Sequence, residues 1–351
     1  MEINMMYTDF GVTTDGKMAH LYKISNTKGM SAKISDFGCA IVSLLVPLKE
    51  GNTLDVVLGY DDVSGYEDNP QSMGCCIGRN ANRISGASFM LNGKKYLLDV
   101  NENKNNLHSS LSDGYHKRIW DVISHTEDSI SLRMDTPDMD QGFPGSCTTV
   151  VTYTITDDNE LSIRYEGVCG EATPWNPTNH TYFNLSGHDS KTIEDTVLWI
   201  NAAAYTPLDS ELIPTGEIAQ TAGTPMDFSS PTAIGARIRD DFEQLVLAGG
   251  YDHNYCLNTE PGKLSLFSRA VSPRTGLTME AFTDLPGVQL YTGNFINEAH
   301  GKDGVLYTNR TGFCLETQYY PDNVNKTDFP SSVIEPGSTH TTVTVFKFCQ
   351  D

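Results

Sequence analysis

Basic side chains are scarce in this chain. Its 351 residues carry 24 lysines and arginines against 45 acidic residues, a formal net charge of -21. Such a surface repels nucleic acid and anionic lipid, and no dense Lys/Arg cluster makes a local exception for a phosphorylated ligand. The expected partner is a neutral small molecule, with no nucleic acid and no membrane. Long apolar runs are also missing. The longest, Ala40 to Leu48, is interrupted by Ser43 and Pro47 and reaches about half of the ~18 residues a membrane-spanning helix needs. The opening residues Met1 to Asp9 hold neither a basic region nor an apolar core, so a signal peptide is not expected and the expected compartment is the cytoplasm. None of the eight cysteines forms a C-x-x-C pair, and neighbouring Cys75 and Cys76 would face opposite sides of a strand. A chain of this length needs no covalent staple, so neither a zinc site nor a disulfide framework is expected. No G-x-S-x-G, P-loop or H-E-x-x-H occurs. Asp135, Asp138 and Asp140 resemble a calcium loop only superficially, because Ser146 stands where the terminal glutamate would be needed.

What the chain does have is a period of two. Val151, Tyr153 and Ile155 alternate with threonines, Asp157 to Glu160 form a turn, and Leu161, Ile163 and Tyr165 alternate with polar residues. That pattern predicts a hairpin of two half-buried strands. Asn92-Gly93 between Phe89-Met90-Leu91 and Lys95-Tyr96-Leu97 predicts a second hairpin, since both turn positions favour positive φ. Further strands are predicted at Leu54 to Gly59, Ile130 to Met134, Val288 to Tyr291 and Thr342 to Phe348. One short helix is predicted at Arg239 to Leu247, stopped by Gly249-Gly250. Many short strands with regular turns argue for an all-β sandwich or barrel. No linker divides the chain, and residues 1–351 read as a single domain.

Several segments could carry chemistry. Thr173 to Leu185 is the densest polar and aromatic stretch, and its two prolines and three asparagines hold His180 on a rigid approach to Tyr182-Phe183. A histidine fixed there can present one ring nitrogen to a ligand while a neighbour holds the other. An ordinary satisfied turn histidine is the competing interpretation. His108 follows the polar run Asn101 to Asn106, and a lone loop histidine is usually just solvated. Arg79, Asn82 and Arg83 lie in one glycine-led turn that would suit sugar hydroxyls, although its arginines could equally be surface charges. Asp252 follows Gly249-Gly250-Tyr251, and Gln289 and Tyr291 sit on a predicted strand. Glu316 lies between apolar residues on another, where a carboxylate is rare unless paired or functional.

Taken together, these segments resemble the aldose 1-epimerase (galactose mutarotase) family. The resemblance runs in order through Gly78-Arg79, Ala81-Asn82-Arg83-Ile84, Asn106-Leu107-His108, Thr178 to Leu185 and Tyr251-Asp252-His253. It continues through Pro286 to Asn294, Leu315-Glu316-Thr317-Gln318, Pro321-Asp322 and Glu335-Pro336-Gly337. Each motif alone is weak; their order across nearly the whole chain is specific. The resemblance implies a single-domain β-supersandwich of large antiparallel sheets, a cleft for a free aldose such as galactose or glucose, and no cofactor or metal. It implies Glu316 as general base and His180 as general acid. His108, Asp252, Gln289, Asn82 and Arg83 are implied as substrate-holding residues, with Arg79 as a further contact. The implied assembly is a monomer or weak homodimer. Ser109-Ser110 departs from the family's usual glycines and is expected to narrow that loop's approach to the sugar. Glu316 and Asp252 are expected to favour a charged His180. A glycoside hydrolase would also want two carboxylates, but it would leave both histidines and Gln289 surplus. A non-catalytic sugar-binding module would not need the acid–base pair.

Overall fold

The computed structural model describes residues 7–350, so the expectation for Met1 to Met6 lies outside the described residues. Its largest sheet is antiparallel and contains nine strands among the described residues. Both sequence-predicted hairpins form. The first pairs Cys147–Ile155 with Glu160–Cys169, and along Cys147–Ile155 every second residue is buried, as the period of two requires. The second pairs Ser88–Leu91 with Lys94–Leu97 around Asn92 and Gly93, both at positive φ. The C-terminal strand His340–Gln350 runs between Glu160–Cys169 and Leu277–Thr283 and so joins the two halves of the large sheet.

A five-stranded antiparallel sheet packs against this one, in the order Ala219–Gln220, Ala202–Tyr205, Asp252–Leu257, Gly287–Tyr291, Cys314–Gln318. Its Thr317 hydroxyl lies 2.5 Å from that of Thr344 on the C-terminal strand, and nearby Phe183 meets the Phe346 ring at 4.8 Å. A second five-stranded sheet comprises Tyr7–Val12, Met18–Ser25, Ser31–Ser35, Ile41–Pro47 and Thr53–Asp55. The architecture is therefore the all-β, antiparallel supersandwich expected. No helix among the described residues is long and apolar enough to cross a membrane. Cys75 and Cys76 do face different packing clusters, Cys75 with Val63 and Tyr66, Cys76 with Val57 and Trp175.

Three expectations need correction. The strand predicted at Leu54 to Gly59 stops at Asp55, because the chain leaves the sheet edge and Val57 bridges to Phe183 instead. The helix begins at Glu243 rather than Arg239, since a turn over Arg237 to Phe242 precedes it; Gly249 ends it in the left-handed conformation as predicted. Cys147 and Cys169 are disulfide-bonded, where no disulfide was expected. The hairpin register places them directly opposite each other.

Candidate active site

The floor of the site is a three-strand grid. Asp252 pairs with Tyr291 and Tyr291 with Cys314; Asn254 pairs with Gln289 and Gln289 with Glu316. Opposite residues and residues two apart point to one face of a sheet, so these six side chains share a face, while His253, Leu290 and Leu315 point the other way. This face opens into a cleft of about 370 Å³. Asp252, Tyr291 and Glu316 line it from the grid, and Asn82, Arg83, His108, His180 and Tyr182 close round it from loops.

His180 is held on both sides by backbone. Its N–H donates to the Cys75 carbonyl and its carbonyl accepts from Gly74, while the adjoining Thr178–Asn179 segment pairs with Cys76–Ile77. The ring stacks on Tyr182 at 5.0 Å and meets His108 edge-on at 5.6 Å. Nδ1 lies 3.5 Å from the Cys314 sulfur, and Nε2 lies 3.7 Å from Oε1 of Glu316. Burial pushes the Cys314 thiol well above its usual range, so the sulfur stays protonated; Nδ1–H can donate to it, which leaves Nε2 open to exchange a proton with Glu316. His180, Cys314 and Glu316 are the cluster of possible metal ligands among the described residues, their donor atoms within 4.8 Å. The thiol approaches one ring edge and the carboxylate the other, and a protonated thiol is a poor ligand. The set suits proton transfer better than coordination.

Glu316 is 3% exposed, and its Oε2 has no hydrogen-bond partner. Burial, reinforced by the charge of Asp252 and opposed by Arg83, raises its carboxyl well above the ordinary 4.5. The expectation of a charged His180 is corrected here. Burial is the dominant influence and lowers the imidazole to about 4. Burial disfavours the charged imidazole, and the same burial holds the neighbouring Glu316 toward its neutral form, which removes the opposite charge expected to favour it.

The loop around His108 is built from unusual backbone. His108 and Ser109 both have positive φ, 54° and 65°. Ser109 tolerates a glycine-like conformation by burying its hydroxyl, which accepts from the Asn80 N–H and donates to the Asn80 carbonyl, each at 2.9 Å. Neither Ser109 nor Ser110 lines the cleft, so the expected narrowing of the loop does not occur. The backbone N–H of Asn82 donates to Nδ1 of His108 at 3.2 Å, which puts the ring proton on Nε2. Burial first, and then the charges of His180, His116 and Arg83, hold His108 well below its usual range. It is a neutral donor.

Arg83 forms a two-bond fork with Glu102, at 2.6 and 2.8 Å, and its Nη1 lies 3.8 Å from Asp252. Two sequence-predicted contacts do not line the cleft. Arg79 is fully buried, and its guanidinium donates to the carbonyls of Pro144 and Gly145 and the hydroxyls of Thr136 and Thr173. It is a structural clamp rather than a substrate contact. Gln289 lies one layer below, donating to Asp252 at 2.7 Å. Sequence reasoning missed Glu102, Leu212 and Cys314, all close to the functional groups. Glu102 is the one acid in the Asn101 to Asn106 run, the only signal that could have marked it.

Comparison with known proteins gives the family. The family model described as aldose 1-epimerase matches residues 20–347. Human galactose mutarotase is 39% identical over 318 residues, covering 90% of each chain. The aldose 1-epimerase of Escherichia coli K12 is 31% identical, covering 95% of this chain and 96% of its own. The crystal structure of an aldose epimerase homologue from C. elegans superimposes with a TM-score of 0.87 at 28% identity, over 95% of this chain and 99% of that one. A family model that spans nearly the whole chain, and relatives 39% and 31% identical over at least nine-tenths of it, lead to one assignment: the chain belongs to the aldose 1-epimerase family.

Proposed function

We propose that this cleft interconverts the α and β anomers of a free aldose such as galactose or glucose, with Glu316 and His180 exchanging protons with the sugar. Glu316 takes the proton of the anomeric hydroxyl while His180 gives one to the ring oxygen. The bond between C1 and the ring oxygen breaks, leaving an open aldehyde. C1 turns about the C1–C2 bond, and reclosure returns each proton by the reverse transfers. The pair holds one proton throughout. It sits on Glu316 with His180 neutral in the free site, and the charged arrangement differs only by transfer between the two partners. Arg83, Asn82, His108 and Asp252 hold the hydroxyls around this pair. No step calls for a metal or redox cofactor.

The observation that carries this reading is Glu316 itself, a buried carboxyl whose Oε2 has no partner, whose Oε1 lies 3.7 Å from His180, and which lines a cleft of sugar-binding side-chain types. Residues from Pro70 to Glu316 meet in that one cleft, which supports reading 1–351 as one catalytic domain. Cys39, Cys75, Cys76, Cys256 and Cys314 are buried free thiols, which supports a cytoplasmic setting, while the Cys147–Cys169 disulfide argues against one. Polarimetry on freshly dissolved α-galactose and α-glucose tests the proposal. Accelerated approach to the equilibrium rotation is expected, with no aglycone released from aryl glycosides. Unchanged rotation kinetics would overturn it.

A further inference from the structure

Beneath the cleft, three amides on three adjacent strands form a chain that reaches Asp252. Nε2 of Gln289 donates to Oδ1 of Asp252 at 2.7 Å, and Oε1 of Gln289 accepts from Nε2 of Gln318 at 3.1 Å. The same Gln318 nitrogen donates to Oδ1 of Asn254 at 3.2 Å. All three amides are buried, and none lines the cleft. We propose that Gln318, oriented by Asn254, is a positioning residue for the reaction: it fixes the Gln289 amide, and Gln289 in turn holds the Asp252 carboxylate in place beside Glu316.

An amide can turn end for end in the same space, so its direction must be set by a neighbour. Gln318 occupies the oxygen of Gln289 with a donor, which leaves the Gln289 NH2 group to face the carboxylate. Reversed, Gln289 would place an oxygen against a carboxylate. Gln318 is directed in the same way, because both acceptors it meets lie at its nitrogen end. Asn254 fits there because Gly287 stands opposite Cys256 on the next strand; a Cβ at Gly287 would lie 2.6 Å from Oδ1 of Asn254. The arrangement also leaves Nδ2 of Asn254 and Oε1 of Gln318 buried without partners. Such groups are costly to leave unpaired, so packing alone would favour apolar side chains here. A directional role accounts for the amides.

The effect reaches the acid–base pair through Asp252. The groups facing the Asp252 carboxylate are Arg83 with its partner Glu102, Tyr291, Tyr182, Cys314, Glu316 and the Gln289 amide, while His253 on the other face meets only the Asp252 N–H through Nδ1. Those facing Glu316 are His180, Cys314, Tyr182, Tyr291, Asp252 and Arg83. With Gln289 undirected, the Asp252 carboxylate is free to swing onto Arg83, 3.8 Å away. Its repulsion of the Glu316 charge then weakens, and Glu316 releases its proton more readily.

This inference rests on the assignment of Glu316 as the base. The test is the pH profile of kcat/KM for mutarotation, corrected for the spontaneous reaction, in Gln318→Met and Asn254→Ala. Both variants are expected to lose about tenfold in kcat/KM, the scale typical of residues that orient a functional group, and the alkaline limb is expected to move to lower pH. A native-like limb position in both, whatever the fall in rate, would show packing alone and overturn the inference. If Gln318→Met does not fold, Asn254→Ala decides by the same limb. Glu316→Gln measured alongside separates the two claims. Activity in that variant overturns the base assignment, whereas an inactive Glu316→Gln with unmoved limbs in the amide variants overturns the relay alone.

Discussion

Replacing Glu316 by glutamine should inactivate the protein and stabilise it. The amide keeps the volume of the side chain but cannot accept a proton from the anomeric hydroxyl. Loss of a positioned general base typically lowers turnover by ~10²–10⁴-fold. The stability change follows from burial. Glu316 titrates well above its ordinary 4.5 in the folded protein because its charge is desolvated and faces Asp252. The native state therefore binds more protons than the unfolded chain above that pH, and this residue's contribution falls as pH rises toward its folded value. Glutamine has no such dependence. Each tenfold of extra proton affinity is about 1.4 kcal/mol. At about 2.1 cal/mol/K of unfolding entropy per residue, a chain of 351 residues gains about 2 °C in Tm for each such factor. The variant should melt above the native protein at pH 8, with the difference shrinking toward pH 4.5. Polarimetry and thermal melts across that range measure both effects. A fall in turnover of less than tenfold removes Glu316 from the base role. A melting difference that is flat with pH, or negative throughout, refutes the argument from burial.

The two histidines should differ. His180→Asn is expected to lose mostly kcat and His108→Asn to show a larger share in KM, because His108 is a neutral donor present in ground and transition states alike; coupled oxidation of the β anomer measures both, and the opposite pattern would exchange their roles. Arg79→Met should lower stability by about 3 kcal/mol in urea denaturation, since four buried acceptors lose their donor, while KM stays near native. A raised KM at unchanged stability would return Arg79 to the cleft.

Much of the scaffold was legible because alternation and turn residues are local. The hairpin through Tyr153 and Ile163 and the Asn92-Gly93 turn needed only a few neighbouring residues to specify them. The same register, carried outward from Ile155 opposite Leu161, sets Cys147 against Cys169, so that pairing was implicit in a hairpin already identified. Other features depend on contacts far apart in the chain. Arg79 finds its acceptors 57 to 94 residues away, and nothing near it in sequence distinguishes a clamp from a sugar ligand. Gln289 and Tyr291 look equivalent on one strand, and only the folded structure separates them, with Tyr291 lining the cleft and the Gln289 amide turned to Asp252. The charge on His180 failed as an expectation for a related reason. Neighbouring acids can be seen in a sequence, but the depth of a ring beneath Tyr182 and His108 cannot.

The 3.7 Å separation of His180 and Glu316 has a consequence for how the site meets its surroundings. A catalyst of an equilibrium must serve both directions equally, and here forward and reverse paths start and finish with the same inventory of protons. Nothing has to be delivered from bulk water or returned to it within a cycle. Buffer molecules have no step to assist, so the turnover of bound sugar is independent of buffer concentration at constant pH. What the medium controls is admission: it sets the fraction of molecules whose pair carries a single proton when an aldose arrives.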